Sequence, residues 1–280
     1  MKLQTKLINT LFDGIDWNCI IPEQKKDNSK PIIFLHGFAG NANDWIFLFD
    51  KLYSKNYYPI FLDILGHGLS SSPDDISFYT EEKLVLQLNS VINKLTKSKI
   101  ILAGYSLGGR LALSYASNYL NNIDTLILES TTAGISDKIL QQERLKNDIK
   151  IAEKIKNNNL EDFFNYWYNL PLFSSLQNLP AKDFTDLINK RKINSAIGLS
   201  NIMVGFSQGV MLPKWDLLKC INIKTLLLSG RLDIKFTELN KKMNLLIQNS
   251  VHKSIINSGH IPHLENTSLF GNYLLNFLEP

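Results

Sequence analysis

One serine lies in a sequence context that limits both the fold and the chemistry of this chain. Ser106 lies within the glycine-bounded segment 104–108, directly after the apolar run 100–103 and directly before the helical pattern 109–116. A serine in a tight turn from strand to helix projects its hydroxyl at the end of a sheet. The flanking glycines are needed because a β-carbon would collide with the neighbouring strand or helix. The pattern therefore predicts an exposed nucleophile.

Short apolar runs separated by helical patterns recur along the chain. The runs of strand type are 31–35, 58–62, 99–103, 125–128, 225–228 and 254–256. Residues 1–23 alternate loosely around Asp13 and Gly14, which indicates an antiparallel edge pair joined by a turn. Strands that alternate with helices form a parallel sheet covered on both faces. We therefore expect an α/β fold with a mostly parallel eight-stranded sheet and helices on both faces.

One long interval has no strand-type run. Between Ser130 and Lys224 the pattern is mostly helical and rich in aromatic residues. A helical insertion after the sixth strand would lie over the carboxyl ends of the strands as a lid. We expect a core domain formed by residues 1–130 and 216–280, and a helical lid (cap) formed by residues 131–215.

An acid and a base follow the serine along the chain, each after a strand-type run. Asp233 comes after the run 225–228, and His260 comes after the run near 254–256. Ser, Asp and His in this order form the catalytic triad of the α/β-hydrolase fold. The imidazole takes the serine's proton, and the carboxylate fixes the imidazole tautomer and stabilises its charge. Ser106, Asp233 and His260 are the predicted catalytic residues.

Other acids and bases compete for these roles. Asp63 is the alternative acid, but it precedes the serine and so breaks the usual order. His263 is the alternative base and lies just beyond the predicted one. His67 belongs to a Gly-His-Gly turn, which we interpret as structural.

A His-Gly loop follows the first parallel strand, at residues 35–40. Loops of this kind supply a backbone N–H group to an oxyanion hole, together with the amide that follows the nucleophile. We predict that the amides of Phe38 and Leu107 form this hole.

Composition limits the classes of ligand. The formal net charge is +4 with scattered basic residues, and no basic face or motif for nucleic acid is visible. No run approaches the roughly 20 apolar residues of a membrane span, and residues 1–14 lack the apolar core of a signal peptide. Cys19 and Cys220 have no metal-ligand spacing. We expect a cytoplasmic protein with no metal and no cofactor that binds neither nucleic acid nor membrane; its oligomeric state stays open.

Arginine is scarce where lysine is abundant. Only four of the 30 basic residues are arginines, namely Arg110, Arg144, Arg191 and Arg231. A guanidinium group offers a planar fork that holds a carboxylate through two hydrogen bonds, which an ammonium group cannot do.

Several segments together resemble the menaquinone-pathway 2-succinyl-6-hydroxy-2,4-cyclohexadiene-1-carboxylate (SHCHC) synthases. These segments are 35–40, 43–45, 104–110, 164–173, 233–236 and 259–265. The resemblance implies a lyase on a hydrolase fold. Such a lyase eliminates pyruvate from 2-succinyl-5-enolpyruvyl-6-hydroxy-3-cyclohexene-1-carboxylate, and its triad removes a proton instead of attacking an ester.

The resemblance also implies a binding set for a small polycarboxylate substrate. That substrate carries three carboxylates, which arginines of the elbow helix and the lid bind in this family. The implied substrate-binding residues are Tyr105, Arg110, Arg144, Trp167, Phe173 and Arg191. Arg231, two residues before the predicted acid, is expected to have no such role.

Two other functions stay open from the residues alone. A serine hydrolase (an esterase, thioesterase or carbon–carbon bond hydrolase) would use the same triad, because an activated serine can attack a carbonyl or remove a proton. The third hypothesis is a non-catalytic binding protein on this fold, and the intact triad disfavours it. Several arginines facing the serine would favour the lyase.

Overall fold

Eight strands form one sheet in the computed structural model, which describes residues 2–279. The strands are β1 Leu3–Asn9, β2 Asp16–Pro22, β3 Lys30–Leu35, β4 Tyr57–Leu62, β5 Ile100–Tyr105, β6 Ile123–Glu129, β7 Lys224–Gly230 and β8 Ser250–Ile255. Their order across the sheet is β1-β2-β4-β3-β5-β6-β7-β8. The pairs β1–β2 and β2–β4 are antiparallel, and the other neighbouring pairs are parallel. The predicted mostly parallel sheet with an antiparallel edge is confirmed.

Helices connect the strands. The α-helices are α1 Phe49–Ser54, α2 Glu81–Leu95, α3 Leu107–Tyr119, α4 Lys138–Asn157, α5 Leu160–Tyr168, α6 Ala181–Arg191, α7 Ala196–Gly205, α8 Trp215–Leu218, α9 Ile234–Leu246, α10 Pro262–Glu265 and α11 Thr267–Leu278. Short 3₁₀ helices span Ala42–Leu48, Ile76–Tyr79, Leu120–Asn122 and Pro171–Asn178. None of the helices in residues 2–279 is long and apolar enough to cross a membrane.

The sheet has a hydrophobic core on each face. Successive residues of β3 alternate between them: Ile33 and Leu35 pack with α2 and α3, whereas Ile32 and Phe34 pack with α1 and α11. This alternation follows from the two-residue period of a strand. A sheet covered on both faces by helices holds the carboxyl ends of its central strands in fixed positions.

Strand β8 is longer than the run that predicts it. The apolar run begins near residue 254, whereas β8 begins at Ser250. As the edge strand beyond β7, it alternates exposed and half-buried residues before reaching buried Ile255. Its first residues therefore need no apolar side chains, and the pattern misses them.

The chain between β6 and β7 folds into helices, as predicted. It contains α4 to α8 and the 3₁₀ helix Pro171–Asn178, with no strand between Ser130 and Ile223. Helix α4 packs mainly against α7. This helical insertion contributes several residues to the site described next.

Candidate active site

A strained turn presents Ser106 at the end of β5. Tyr105 is the last strand residue, Leu107 is the first residue of α3, and Ser106 between them has φ +48° and ψ −105°. A β-carbon on Gly104 would collide with the carbonyl group of Gly108. The turn is therefore closed to larger residues at this point, as the sequence predicts.

The side chains of Ser106, Asp233 and His260 meet at this turn. His260 Nδ1 lies 2.6 Å from Asp233 Oδ2, and His260 Nε2 lies 3.2 Å from Ser106 Oγ. Asp233 is buried and caps α9 through the Phe236 amide. With the Nδ1 proton donated to the carboxylate, Nε2 keeps a lone pair that faces the serine hydroxyl. The arrangement can move a proton away from Ser106.

Within residues 2–279, neither the rival acid nor the rival base forms a hydrogen bond with the Ser106 side chain. Asp63 accepts hydrogen bonds from the Ala42 and Leu69 amides at 2.6 and 2.9 Å and from the Asn18 side chain at 2.8 Å. This carboxylate therefore holds loops together, whereas the acid bonded to His260 is Asp233.

His263 is buried behind the triad. Its Nδ1 lies 2.9 Å from Glu129 Oε1, and its ring stacks on Trp45 with 4.2 Å between centroids. His67 accepts a hydrogen bond from the Ala39 amide at 3.2 Å and so supports the loop that contains Phe38.

Two backbone amides are available beside the serine. Phe38 and Leu107 both line the cavity that contains Ser106, and within residues 2–279 neither amide donates a hydrogen bond. The helical insertion holds the Phe38 loop in place, because the Asn194 side chain donates a hydrogen bond to the Ala39 carbonyl at 3.0 Å. Free amides on fixed backbone suit a developing oxyanion.

A cavity of about 430 Å³ joins these groups and has the size of a small-molecule site. The triad lies in its wall. Of the six implied substrate-binding residues, it brings together Tyr105, Arg110, Arg144, Trp167 and Phe173. A larger cleft of about 680 Å³ lies elsewhere and contains no triad residue. Because the triad lines the smaller cavity, that cavity is the candidate active site.

Arg110 is a buried cation that forms no ion pair with a carboxylate of residues 2–279. It lies one turn after the serine on α3, and its Nη1 donates to the Phe206 carbonyl at 2.6 Å. The Phe206 ring lies 4.9 Å from the guanidinium carbon. Burial lowers the pKa of Arg110 to about 9, so the group stays charged at neutral pH. No ion pair within residues 2–279 neutralises it.

Only part of the Arg144 guanidinium is bound within the protein. Its Nε donates to both oxygens of Asp148 at 2.8 and 2.9 Å, and Asp148 also accepts from the Ser207 hydroxyl at 2.6 Å. The Arg144 side chain is 31% exposed. Its two terminal amino groups make no hydrogen bond to the described residues and can serve a ligand.

Arg191, which is expected to contact substrate, does not line the cavity. Its Nη1 binds both oxygens of Asp44 at 2.6 and 2.9 Å, and its Nε donates to the Tyr168 hydroxyl at 3.0 Å. The side chain is 2% exposed. Burial by itself would lower the pKa of Arg191, but the charge of Asp44, the Tyr168 phenol and the hydrogen bonds to both together raise the pKa above its usual value. This guanidinium joins the insertion to the core.

Lys235, Gln208 and Ser207 also line the cavity, although the sequence pattern does not predict them as site residues. The sequence signal for Lys235 is its place two residues after Asp233, in the segment 233–236 that resembles the synthase family. Arg231 lies on the surface, away from the cavity. Within residues 2–279, no cluster of His, Cys, Asp and Glu has a geometry that could hold a metal ion.

Comparisons with known proteins agree with this geometry. The profile of the α/β hydrolase fold family matches residues 30–267. A Bacillus subtilis (strain 168) protein with the provisional name 2-succinyl-6-hydroxy-2,4-cyclohexadiene-1-carboxylate synthase is 34% identical over 270 residues, covering 96% of this chain and 97% of that protein. A Klebsiella pneumoniae protein with this synthase name is 30% identical, covering 86% of this chain and 92% of its own.

Solved structures extend the comparison. MenH from S. aureus matches with a TM-score of 0.87 at 34% identity, covering 93% of this chain and 97% of that one. An esterase from Thermogutta terrifontis reaches a TM-score of 0.84 at 22% identity, which shows a shared fold alone. On these similarities and the fold, this chain belongs to the SHCHC synthase family within the α/β hydrolase fold.

Proposed function

We propose that this chain is a SHCHC synthase, a carbon–oxygen lyase of menaquinone or phylloquinone biosynthesis. Its substrate is 2-succinyl-5-enolpyruvyl-6-hydroxy-3-cyclohexene-1-carboxylate, and its products are SHCHC and pyruvate. The observation that carries the proposal is the buried guanidinium of Arg110, which lies one turn from Ser106 in the triad's cavity and has no ion-pair partner among residues 2–279. An ester pocket has no use for such a cation, whereas a polycarboxylate needs one.

The triad starts the proposed elimination. Ser106 Oγ removes the proton at C2 of the ring, next to the succinyl ketone, while its own proton moves to His260 Nε2. The electron pair forms the C2–C3 double bond, the ring double bond moves from C3–C4 to C4–C5, and the C5–O bond breaks. The leaving enolpyruvate takes up the proton held by His260 and becomes pyruvate. Atoms and charges balance without any cofactor.

The oxyanion hole stabilises the intermediate charge. Loss of the C2 proton places negative charge on the ketone oxygen of the succinyl group. The amides of Phe38 and Leu107 line the cavity and are free to donate to that oxygen. Fixed donors aimed at developing charge lower the barrier because they need no rearrangement during the reaction.

Three cations serve the three substrate carboxylates in this proposal. Arg110 and Arg144 take two of them, and Lys235 at the cavity wall takes the third in place of Arg191. Tyr105, Trp167 and Phe173 surround the ring. Trp167 Nε1 is buried without a hydrogen-bond partner in the described chain, so a substrate oxygen would satisfy it.

The proposed domain division has residues 131–215 closing over the serine as a lid. Support comes from Arg144, Trp167 and Phe173, which the insertion contributes to the cavity wall. Closure would exclude water and strengthen the charge contacts inside. Hydrogen exchange with and without SHCHC tests this: added protection across 131–215 supports the lid, and identical protection contradicts it.

A cytoplasmic location completes the proposal. Two free thiols, buried Cys19 and exposed Cys220, are in keeping with a reducing compartment. Fractionation of the source cells tests it, and recovery with secreted material would contradict it.

A paired assay tests the function. The purified protein is incubated with the enolpyruvyl substrate, and pyruvate is measured through NADH oxidation by lactate dehydrogenase; p-nitrophenyl acetate is the ester control. We expect rapid pyruvate release and slow ester hydrolysis. Rapid ester hydrolysis without pyruvate release would favour the serine hydrolase instead.

A further inference from the structure

We propose that Glu265 is a positioning residue for the catalytic histidine. Its carboxylate binds the backbone on both sides of His260 and holds the imidazole between Asp233 and Ser106. The inference deepens the proposed function, on which its kinetic test depends.

The contacts are direct and symmetric about the histidine. Glu265 Oε2 accepts a hydrogen bond from the Gly259 amide at 2.7 Å, and Oε1 accepts one from the Ile261 amide at 2.9 Å. A carboxylate only accepts, and its two oxygens can serve two donors at once. Charged acceptors of this kind form the stronger class of hydrogen bond. One side chain therefore fixes the residue before His260 and the residue after it.

His260 needs such support because of where it lies. It belongs to the irregular loop between β8 and α10, without ladder or helical hydrogen bonds of its own. Its imidazole must form two hydrogen bonds at the same time, one of 2.6 Å from Nδ1 to Asp233 and one of 3.2 Å between Nε2 and Ser106. A small loop displacement would lengthen both hydrogen bonds.

Glu265 acts through the backbone and not on the substrate. It does not line the cavity that holds the triad, whereas it does line the 680 Å³ cleft outside it. Its effect should therefore fall on turnover and leave substrate binding almost unchanged.

The test replaces Glu265 by glutamine. Glutamine has one acceptor oxygen, and its amino group would face the second N–H group, so one of the two contacts is lost. Glu238→Gln is the control, because it makes the same chemical change at an exposed glutamate of α9. We expect kcat for pyruvate release to fall about 10- to 100-fold in Glu265→Gln with KM within about twofold, since small misplacements of reacting groups are costly. The control should match the wild type.

A spectroscopic signature separates positioning from general weakening. The proton between His260 Nδ1 and Asp233 should resonate far downfield in the wild type and in Glu238→Gln, and should broaden or move upfield in Glu265→Gln. This readout needs no substrate, so it stays decisive even if the wild type releases no pyruvate. An unchanged resonance together with unchanged kcat in folded Glu265→Gln overturns the proposal.

A second variant covers a failure to fold. Glu265→Asp keeps the carboxylate but shortens its reach, and we expect a smaller loss of kcat. Unfolding of both variants at 25 °C would also contradict the proposal, because the carboxylate would then serve folding and not the position of one loop.

Discussion

Two buried guanidinium groups in this molecule have opposite surroundings. At the junction of Asp44, Tyr168 and Arg191, the guanidinium binds a carboxylate through two hydrogen bonds and a phenol through a third. In the cavity, Arg110 donates to a backbone carbonyl and forms no ion pair with a carboxylate of the described chain. Both arginines are almost fully buried. The difference therefore lies in their partners and not in their exposure.

The comparison shows how to distinguish structural from ligand-binding charges. A buried ion pair is neutral as a unit, and breaking it leaves an uncompensated charge that destabilises the fold. A buried cation without an anionic partner is costly for the free protein and gains its partner when an anion binds. The amides of Phe38 and Leu107 and the Trp167 indole also lie in the cavity, and within residues 2–279 they have no hydrogen-bond partner.

The largest effect on turnover should come from Ser106→Ala, on the cavity side of the comparison. We expect pyruvate release to fall about 1,000-fold or more, because the triad acts as a unit. Ser114→Ala on the same helix is the control, since its hydroxyl binds Glu81 at 2.8 Å, away from the triad. Substantial activity in a folded Ser106→Ala protein would remove the proposed mechanism.

Asp233→Asn should come next, with Asp63→Asn as its matched partner. The first change loses control of the imidazole tautomer, so we expect kcat to fall about 100-fold or more with little change in KM. The second removes a carboxylate that only joins loops, so its cost should be in the free energy of unfolding. A larger loss of kcat for Asp63→Asn would reverse the assignment of the acid.

Arg110→Lys should reduce kcat/KM by about 10- to 100-fold, equivalent to roughly 1–3 kcal/mol, because the charge stays while the fork is lost. Steady-state kinetics on pyruvate release measures it, with Arg231→Lys as the surface control. Wild-type kcat/KM in folded Arg110→Lys would contradict a carboxylate at this position.

Arg191→Met should give the reverse pattern. Asp44 would stay buried without its cation, so we expect a loss of about 3–5 kcal/mol in the free energy of unfolding. Under conditions in which the variant stays folded, its kcat/KM should remain within about threefold of the wild-type value. Urea unfolding measures the loss of stability, and the pyruvate-release assay measures kcat/KM. A large loss of kcat/KM in a stable variant would show that Arg191 contacts the substrate.

The smallest expected effect is on stability and comes from His36 and His67, two buried histidines outside the cavity. Burial lowers the pKa of His36 to about 3 and that of His67 well below its usual value. Below about pH 6.5 the unfolded chain gains protons that the folded chain does not, so the free energy of unfolding should fall by roughly 1.4 kcal/mol per pH unit for each histidine.

Urea unfolding between pH 7 and 5 measures this slope. His36→Gln should lower the slope by about the share of one histidine. An identical slope in the variant would mean that His36 is protonated in the folded protein.

Local signals predicted the site better than distant ones. The glycines around Ser106 and the strand-end positions of Asp233 and His260 are visible in short segments, so the triad follows from the sequence. The partner of Arg191 does not, because Asp44 lies 147 residues away and only the folded chain brings them together. Scarcity of arginine drew attention to Arg191 without showing whether a ligand or an internal carboxylate holds it.

A crystal structure of Ser106→Ala with the enolpyruvyl substrate would test the central claim most directly. We predict that the substrate fills the cavity with carboxylates at Arg110, Arg144 and Lys235 and its ketone oxygen at the Phe38 and Leu107 amides. Arg191 should remain on Asp44. A substrate seated in the larger cleft, or a carboxylate that draws Arg191 away from Asp44, would contradict the account.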